Sequence, residues 1–267
     1  MQVITDQMGR TIRLRDYPRR IVSLVPSQTE LLHALGLEQT VVGITRFCTR
    51  PESWRSEKVN VGGTKTPDLD KIRALKPDLI LGNKEENSAD TIHALENSFP
   101  VWMSDISTLG DALDMITRVG NMTGKDLEAT RMASEIQDKF SQFSYQTSAI
   151  PPVRALYFIW REPWMAAGNN TFIHSMLRQA GFLNVAGHLE RYPELPLAAW
   201  SDLQPEVVML SSEPYPFAEK HMAAVQSAFP DSKVTLVDGE MFSWYGSNLL
   251  LAPDYFGKLT RVIAAMD

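Results

Sequence analysis

The stretch GEMFSWYGSN, from Gly239 to Asn248, places Met, Phe, Trp and Tyr side chains within five residues of one another. Such a cluster has three explanations: core packing, a loop that touches lipid, or the wall of a pocket for a large, flat ligand. Trp244 and Tyr245 have rings with one polar end, which suit partly wet sites, so the residue types favour a pocket for these two. Phe242 has no polar atom, and core packing and pocket lining are equally open for it.

The composition limits the partners. The 267-residue chain carries 26 Lys+Arg against 32 Asp+Glu, a net charge of −6, and it has no run of basic residues. This balance argues against nucleic acid as a partner. No apolar run approaches the ~20 residues that span a bilayer, so a lipid-touching role for the aromatic cluster is disfavoured. A chain of this length buries a sizeable core and commonly divides into two lobes.

Residues that bind metals or catalyse reactions form no recognisable constellation. The five histidines are scattered, without an HExxH or H-x₃-H pair, which argues against a bare zinc or manganese site. His188 remains open between a ligand of cobalt or haem iron and a surface histidine. The single cysteine, Cys48, is better explained as a buried, inert thiol than as a metal ligand. Because nucleotide-binding loops and a G-x-S-x-G elbow are also missing, we predict that the protein is not an enzyme.

Apolar, β-branched runs alternate with segments of helical period along most of the chain. A helix opened by Thr29 and ending at Gly36 follows the strand run RIVSLVP, and a last helix is expected from about Ser247 to Ala265. This alternation predicts an α/β fold with parallel sheets. The other predicted strands are TVVGI, DLIL, FPVWMSD, VRALYFIW, VVMLSS and KVTLVDG.

The middle of the chain is different, because it predicts one long helix without Gly or Pro. From Lys125 to Gln146 this helix would measure about 33 Å at 1.5 Å per residue. The loop TSAIPP follows it and marks a boundary. We therefore expect an N-terminal α/β lobe over 1–107, a helical linker over 108–149 that contains the helix 125–146, and a C-terminal α/β lobe over 150–267.

The second half of the chain echoes the first. ALKPDLILGN (Ala74 to Asn83) and DLQPEVVMLS (Asp202 to Ser211) share a pattern of Leu, Pro, acid and strand. The echo predicts two similar lobes joined by the long helix. Since ligands of parallel α/β sheets bind beyond the carboxyl ends of the strands, a cleft lined by strand-to-helix loops is expected.

The runs RIVSLVPSQTELLHALGL, VVGITRF, LDKIRALKPDLIL and SDLQPEVVML, in this order, resemble the helical-backbone metal receptors. These are the substrate-binding proteins of ABC importers for cobalamin, ferric siderophores and haem, and the chain is most similar to the vitamin B12-binding branch. The resemblance implies the class III periplasmic binding protein architecture: two Rossmann-like parallel-sheet lobes joined by one long rigid α-helix, with a modest hinge motion.

The resemblance also implies which loops contact the ligand. Phe47 matches an aromatic contact position, and Arg46 beside it suits phosphate, propionate or amide groups. B12-binding relatives often carry Trp where Thr64 and Asn83 stand here, so this side of the pocket is expected to be more polar. Gly246 would let the backbone approach the ligand closely. The full implied set is Arg46, Phe47, Thr64, Lys65 and Asn83 in the first lobe, and Trp160, Glu162, Tyr192, Phe242, Trp244, Tyr245 and Gly246 from the second, with Trp244 and Tyr245 facing Phe47.

By resemblance, the protein captures cobalamin or a related corrinoid, docks as a monomer on an ABC permease, and works in the periplasm or at the cell surface. Asp70 matches the docking carboxylate of the first lobe, whereas Ala198 stands at the matching position of the second. One alternative ligand is haem or a ferric siderophore, for which Arg and Lys contacts would dominate. A non-exported corrinoid-handling protein is another alternative, because the N-terminus MQVITDQMGRTIRL lacks the apolar region of a signal peptide.

Overall fold

The structure is a computed structural model that describes residues 1–266. It begins with an antiparallel hairpin of β1 (Gln2–Thr5) and β2 (Thr11–Leu14). A parallel five-stranded sheet in the order β5-β4-β3-β6-β7 follows. Its strands are β3 (Ile21–Ser23), β4 (Val41–Ile44), β5 (Val59–Asn60), β6 (Leu79–Asn83) and β7 (Val101–Ser104).

Helices connect these strands and cover the faces of the sheet. They are α1 (Pro26–Ala34), α2 (Trp54–Glu57), α3 (Leu69–Leu75) and α4 (Ala89–Glu96). Aliphatic side chains from β3, β6 and β7 pack against Ile72 of α3 and Ile92 of α4. Every residue of β6 and β7 is buried, as expected for parallel strands covered on both faces.

Two helices then lead to the second half of the chain: α5 (Leu109–Thr123) and α6 (Asp126–Thr147). The 22-residue helix α6 lies where the sequence places a long helix over 125–146. Among the helices within residues 1–266, none combines the length and apolar composition that crossing a bilayer requires.

The second sheet is parallel in the order β10-β8-β11-β12, with β9 added antiparallel to β8. Trp200 and Phe158 lie in its hydrophobic core and meet edge to face with ring centroids 5.8 Å apart. The strands are β8 (Val153–Trp160), β9 (Met165–Ala166), β10 (Phe182–Asn184), β11 (Val207–Ser211) and β12 (Lys233–Val237). The helices are α7 (Phe172–Gln179), α8 (Leu197–Ser201), α9 (Glu219–Ala228), α10 (Glu240–Ser243) and α11 (Ala252–Ala264).

The chain divides into two compact units that each contain one sheet. The first unit contains residues 1–106, 110–135 and 245–248, and the second contains 107–109, 136–244 and the residues from Leu249 onward. Helix α6 therefore contributes its first part to one unit and its second part to the other. The predicted α/β fold with parallel sheets is confirmed.

The repeated sequence pattern corresponds to a repeated turn. Lys76 follows α3 with φ 46°, and Gln204 lies shortly after α8 with φ 48°. Each of these left-handed residues precedes a proline and then a buried strand, β6 or β11. Since a left-handed residue ends a helix and proline cannot continue one, the echoed residues encode the same helix-turn-strand connection twice.

Two predicted helix starts are wrong. Helix α1 begins at Pro26 rather than after Thr29, because proline with its fixed φ is well suited to the first turn. The Thr29 hydroxyl instead donates a hydrogen bond to the Val25 carbonyl oxygen (2.9 Å). The last helix also does not run unbroken from Ser247: a 3₁₀ turn spans Ser247–Leu250, and α11 starts at Ala252, next to Pro253.

We predict that Gly120→Ala destabilises the first unit. A Cβ atom at Gly120 in α5 would overlap the Cβ of Ala129 and lie 2.8 Å from the Lys125 carbonyl oxygen. Overpacking of this kind costs roughly 1–3 kcal/mol, more than the ~1 kcal/mol that alanine gains over glycine in a helix. Urea unfolding measures the change.

Gly257→Ala in α11 is the matched control. The nearest atom to a Cβ there is Phe143 Cε2 at 3.6 Å, an ordinary contact. This variant should be neutral or up to ~1 kcal/mol more stable, because only the helix propensity changes. Equal stability changes for the two variants would contradict the close packing of α5 on α6.

Candidate functional site

The carboxyl ends of the first sheet carry three loops with predicted site residues. They follow β4, β5 and β6, and this edge of a parallel sheet is where ligands bind in such folds. The loops place Arg46 and Phe47 after β4, Thr64 and Lys65 after β5, and Asn83 at the end of β6.

Phe47 and Arg46 form the exposed part of this edge. The Phe47 side chain is 50% exposed, and the Arg46 guanidinium carbon lies 4.9 Å from the centroid of its ring. The backbone N–H of Arg46 donates to the Gly62 carbonyl oxygen (2.8 Å), which fixes the start of the loop. A cation stacked on an exposed ring presents both an apolar face and a positive charge to a ligand.

Thr64 and Lys65 are joined to the loop after β6. The Asn87 amide donates to the Thr64 carbonyl oxygen (3.0 Å), and the Ser88 hydroxyl donates to that of Lys65 (3.1 Å). The Lys65 ammonium group donates to the Glu85 carbonyl oxygen. Lys65 is exposed and Thr64 is partly buried, so both remain available at the rim of this edge.

Asn83 instead builds the turn from within. Its side chain is only 2% exposed. The amide nitrogen donates to the Ser104 hydroxyl (2.9 Å), and the amide oxygen accepts from the backbone N–H groups of Glu85 (2.8 Å) and Glu86 (3.2 Å). Because these bonds occupy both ends of the amide, the direct ligand contact predicted for Asn83 is replaced by support of the loop 84–86.

Residues 245–248 complete the first unit, although they are distant from it in sequence. The Tyr245 hydroxyl donates to Glu86 Oε1 (2.7 Å). Burial and the neighbouring Glu86 carboxylate raise the pKa of Tyr245 well above its usual value, so the phenol stays protonated and keeps this bond at neutral pH. A Cβ on Gly246 would lie 2.5 Å from the Ser27 carbonyl oxygen. The close approach that glycine permits here is thus to α1 of the protein itself, not to a ligand as predicted.

The second sheet presents an aromatic pair at its carboxyl ends. Trp160, at the end of β8, is 38% exposed, and its ring centroid lies 5.6 Å from that of Tyr215 in an edge-to-face arrangement. The Tyr215 hydroxyl lies 3.3 Å from His221 Nε2. Tyr215 was not identified from the sequence. Its segment SSEPYPF begins at the end of β11, just as GNKEEN begins at the end of β6. The similarity between the two halves of the chain could therefore have indicated it.

Glu162 and Tyr192 are also accessible in the second unit. Glu162 is exposed and lies 3.1 Å from the guanidinium group of Arg161. Tyr192 is partly buried, with the Arg191 guanidinium carbon 5.8 Å from its ring centroid. Both residues carry polar groups that suit the edge of a ligand rather than its face.

The aromatic cluster near the C-terminus is split by its environment. Phe242 is fully buried, with its ring centroid 5.1 Å from Tyr157 and 4.9 Å from Phe256. It therefore belongs to the core and not to a pocket wall. Phe242 lies in the short helix α10, which spans residues 240–243.

Trp244 is held by a carboxylate that sequence reasoning also missed. Its indole N–H donates to Glu213 Oε1 (3.1 Å), which also accepts from the Ser243 hydroxyl (2.5 Å). Trp244 is 6% exposed in the second unit, and Tyr245 is 6% exposed in the first. Their predicted role as a pocket wall that faces Phe47 remains a prediction.

Two residues with open roles now have clear surroundings. Cys48 is buried, with Thr29 and Thr45 hydroxyls 3.0 and 3.2 Å from its sulfur, and burial raises the pKa of its thiol. His188 is exposed, with Nδ1 3.1 Å from the Val185 carbonyl oxygen. Among residues 1–266, no three His, Cys, Asp or Glu side chains are arranged to hold a metal ion.

The chain is similar to several known binding proteins. It is 24% identical to the vitamin B12-binding protein of Pectobacterium atrosepticum over 247 residues, which cover 88% of this chain and 86% of the relative. It is 26% identical over 214 residues to an uncharacterized ABC transporter substrate-binding lipoprotein of Bacillus subtilis, covering 77% of this chain and 68% of the relative.

Solved structures share the fold. The periplasmic vitamin B12-binding protein BtuF of Vibrio cholerae superposes with a TM-score of 0.79 at 20% identity, covering 93% of this chain and 99% of that one. The periplasmic haem-binding protein RhuT of Roseiflexus reaches 0.77 at 20% identity, covering 92% and 97%. The periplasmic binding protein family model matches residues 21–232. Since this match extends over most of the chain, the protein belongs to the periplasmic binding protein family.

Proposed function

We propose that this protein is the substrate-binding component of an ABC importer and that it captures cobalamin or a related corrinoid. Support comes from the family match and from relatives that are named vitamin B12-binding proteins at 24% identity. The fold is also that of BtuF. At this identity the relatives support a class of ligand, the metal chelates such as corrinoids, haem and siderophores. The choice within this class depends on the side chains of the loops at the carboxyl ends of the strands.

One observation carries the choice of ligand: each unit exposes an aromatic ring at the carboxyl edge of its sheet. Phe47 is 50% exposed in the first unit and Trp160 is 38% exposed in the second. Single exposed apolar residues are common on protein surfaces, so it is the position of these two rings that supports the proposal: each lies beside polar side chains at the edge of a parallel sheet where ligands bind. A corrin macrocycle offers a broad apolar face with amide groups at its edge, which such rings and their polar neighbours suit.

The polar neighbours are assigned to the edge of the ligand. Arg46, Lys65 and Glu162 are exposed, and Thr64 and Tyr192 are partly buried. Tyr215 joins this set as the ring that packs on Trp160. Trp244 and Tyr245, each 6% exposed, stay in the proposed pocket wall. Asn83 and Gly246 support the loops, and Phe242 belongs to the core.

Haem or a ferric siderophore is the second candidate ligand. The observation in its favour is the exposed cation pair of Arg46 and Lys65 at the edge of the first sheet, which suits propionate or hydroxamate oxygens. Haem-binding proteins and an Fe³⁺-hydroxamate protein also share the fold.

The partner in this proposal is a membrane permease, which the protein meets as a monomer in the periplasm or at the cell surface. Asp70 is the candidate docking carboxylate of the first unit. Its side chain is 92% exposed in the first turn of α3, and Arg73 Nη1 lies 2.8 Å from it. An exposed acid of this kind would meet a basic residue of a permease and mainly raise the rate of association.

Absorbance titration identifies the ligand. Cyanocobalamin, haem and a ferric hydroxamate are each added to the purified protein, and bound ligand is separated by gel filtration. We expect cyanocobalamin to bind at one equivalent and to quench tryptophan fluorescence. Tighter binding of haem or the ferric hydroxamate would replace the corrinoid with the second candidate, and no binding of any of the three would contradict both.

Trp160→Ala tests the aromatic edge. Removing a ring that forms a central contact commonly costs about 1–2 kcal/mol of binding free energy or more, so the Kd should rise at least about fivefold. The melting temperature should change little, because Trp160 is 38% exposed.

Tyr145→Ala is the matched control, since Tyr145 lies on α6 and is 83% exposed. It should leave both the Kd and the melting temperature unchanged. If Trp160→Ala also leaves the Kd unchanged, the assignment of Trp160 to the binding surface is wrong.

Asp70→Arg tests docking on the permease. In proteoliposomes that contain the cognate importer, we expect uptake to fall several-fold, most strongly at low salt, because exposed charges are screened by ions. Asp90→Arg makes the same change at an exposed acid in the first turn of α4 and should leave uptake unchanged. Equal uptake by the two variants would exclude Asp70 as a docking residue.

A further inference from the structure

A small pocket lies in the first unit beside the carboxyl ends of β4 and β5. Its volume is about 150 Å³. It is bounded by the start of the loop after β4, by Asn60 of β5, by Arg55 of α2 and by Lys58, which follows α2. A pocket of this size is well below the roughly 300–1,000 Å³ typical of sites for drug-sized ligands. It is several times the ~30 Å³ that one water occupies in the liquid. The pocket therefore suits an occupant of a few heavy atoms.

Three cationic side chains line it: Arg46, Arg55 and Lys58. Lys58 Nζ donates to the backbone carbonyl oxygen of Glu38 (2.5 Å) and lies 5.1 Å from the ring centroid of Trp54. Within residues 1–266, none of the three forms an ion pair with a carboxylate, and no Asp or Glu lines the pocket. The lining of the pocket therefore contains three positive charges and no carboxylate.

The neutral lining adds hydrogen-bonding groups without negative charge. The Thr45 hydroxyl lies 3.2 Å from the Cys48 sulfur, and burial raises the pKa of that thiol, which keeps it neutral at pH 7. Asn60 Oδ1 accepts from the Gly62 N–H (2.9 Å), and the NH₂ group of the same side chain can donate. The Glu86 carboxylate acts on the Cys48 thiol from outside the lining, and it accepts a hydrogen bond from the Tyr245 hydroxyl (2.7 Å).

We propose that this pocket binds a small tetrahedral oxyanion, with phosphate as the representative ligand. Like charges that share a pocket repel one another, and an anion among them relieves that repulsion. The planar forks of Arg46 and Arg55 match phosphate oxygens bidentately, while Lys58 supplies a compact charge and Asn60 a neutral donor. The site does not depend on the proposed function, since it is built from one unit and is too small for a corrin or a porphyrin.

The oxyanion has two sources: a free ion, or an anionic group carried by a larger ligand whose body lies outside the pocket. Arg46 belongs both to this pocket and to the exposed edge with Phe47, so a ligand on that edge would have its anionic group within reach of the pocket. Cobalamin carries a phosphodiester in its nucleotide loop and cobinamide lacks it, which separates the two sources experimentally.

The test is isothermal titration of the 267-residue protein with inorganic phosphate at constant ionic strength, with chloride as the balancing salt. Arg55→Gln/Lys58→Gln should weaken phosphate binding at least tenfold and remove the saturable, phosphate-dependent rise in melting temperature. The control Arg13→Gln/Arg15→Gln removes the same charge from exposed positions in and next to β2 and should bind phosphate as the wild type does. Substitution of Lys58 also removes its contact with the Trp54 ring and could weaken folding. The single variant Arg55→Gln therefore repeats the test at an exposed residue.

Equal phosphate affinities for the pocket variants and the control would overturn the proposal. It would also be overturned if the wild type bound no phosphate and Arg55→Gln bound cobalamin as the wild type does. A loss of cobalamin affinity in Arg55→Gln without a loss for cobinamide supports the pocket as a subsite for the ligand's phosphodiester. Phosphate binding that is lost in the pocket variants while both corrinoids bind equally to wild type and Arg55→Gln supports a free-ion site. If neither corrinoid binds the wild type, the proposed function fails while the phosphate result still decides the pocket.

Discussion

All strands of the first sheet, and four of the five in the second, run parallel, and this direction controls where chemistry can occur. Parallel strands release every strand-to-helix loop at the same edge of the sheet. The strands themselves are covered on both faces, as the fully buried β6, β7 and β11 illustrate, so their side chains form core. At the carboxyl edges of the sheets, side chains that can meet a ligand therefore come from strand ends and loops, such as Arg46 and Phe47 in one unit and Trp160 in the other.

Two carboxylates stabilise these loops in the same way. Glu86 follows β6 and accepts from the Tyr245 hydroxyl, while Glu213 follows β11 and accepts from the Trp244 indole. Trp244 and Tyr245, which are consecutive in the chain, thus each donate a hydrogen bond to a partly buried carboxylate of their own unit. Hydrogen bonds to a charged acceptor are stronger than neutral ones, and loss of the donor would leave a poorly solvated charge. The segment of Trp244 and Tyr245 therefore holds the loops after β6 and β11 through its polar atoms.

The distribution of exposure separates aromatic residues that pack from those that remain for a ligand. Trp54, Trp102, Trp200 and Phe242 are buried completely or almost so, whereas Phe47 and Trp160 are exposed beside polar groups. The corrinoid proposal depends on the exposed pair and their neighbours. The phosphate proposal depends on a different property, the presence of Arg46, Arg55 and Lys58 around a pocket that no carboxylate lines. Arg46 alone takes part in both, which makes the loop after β4 the segment where substitutions should affect binding most.

Much of the fold follows from the sequence alone. Hydrophobic periodicity predicted the alternation of strands and helices, and the echoed Leu-Pro-acid pattern corresponds to the turns at Lys76 and Gln204, because helix termination before a proline is a local property. The family resemblance likewise rests on motifs in their order along the chain, and the family is confirmed. The resemblance also indicated which loops carry the candidate site. The loops with Phe47, Trp160 and Trp244 follow predicted strands, whereas those with Thr64 and Tyr192 do not.

Only the tertiary structure decided what each side chain in those loops does. Asn83 supports a turn because Ser104 lies beside it, and Gly246 is required by Ser27, which is more than two hundred residues away. Phe242 is core because Tyr157 and Phe256 surround it. The pocket of Arg46, Arg55 and Lys58 combines a strand-end loop with a short helix whose packing no periodicity specifies. Residue type and spacing determine which elements form, whereas burial and the choice of partner depend on contacts between distant parts of the chain, and these exist only once the chain has folded.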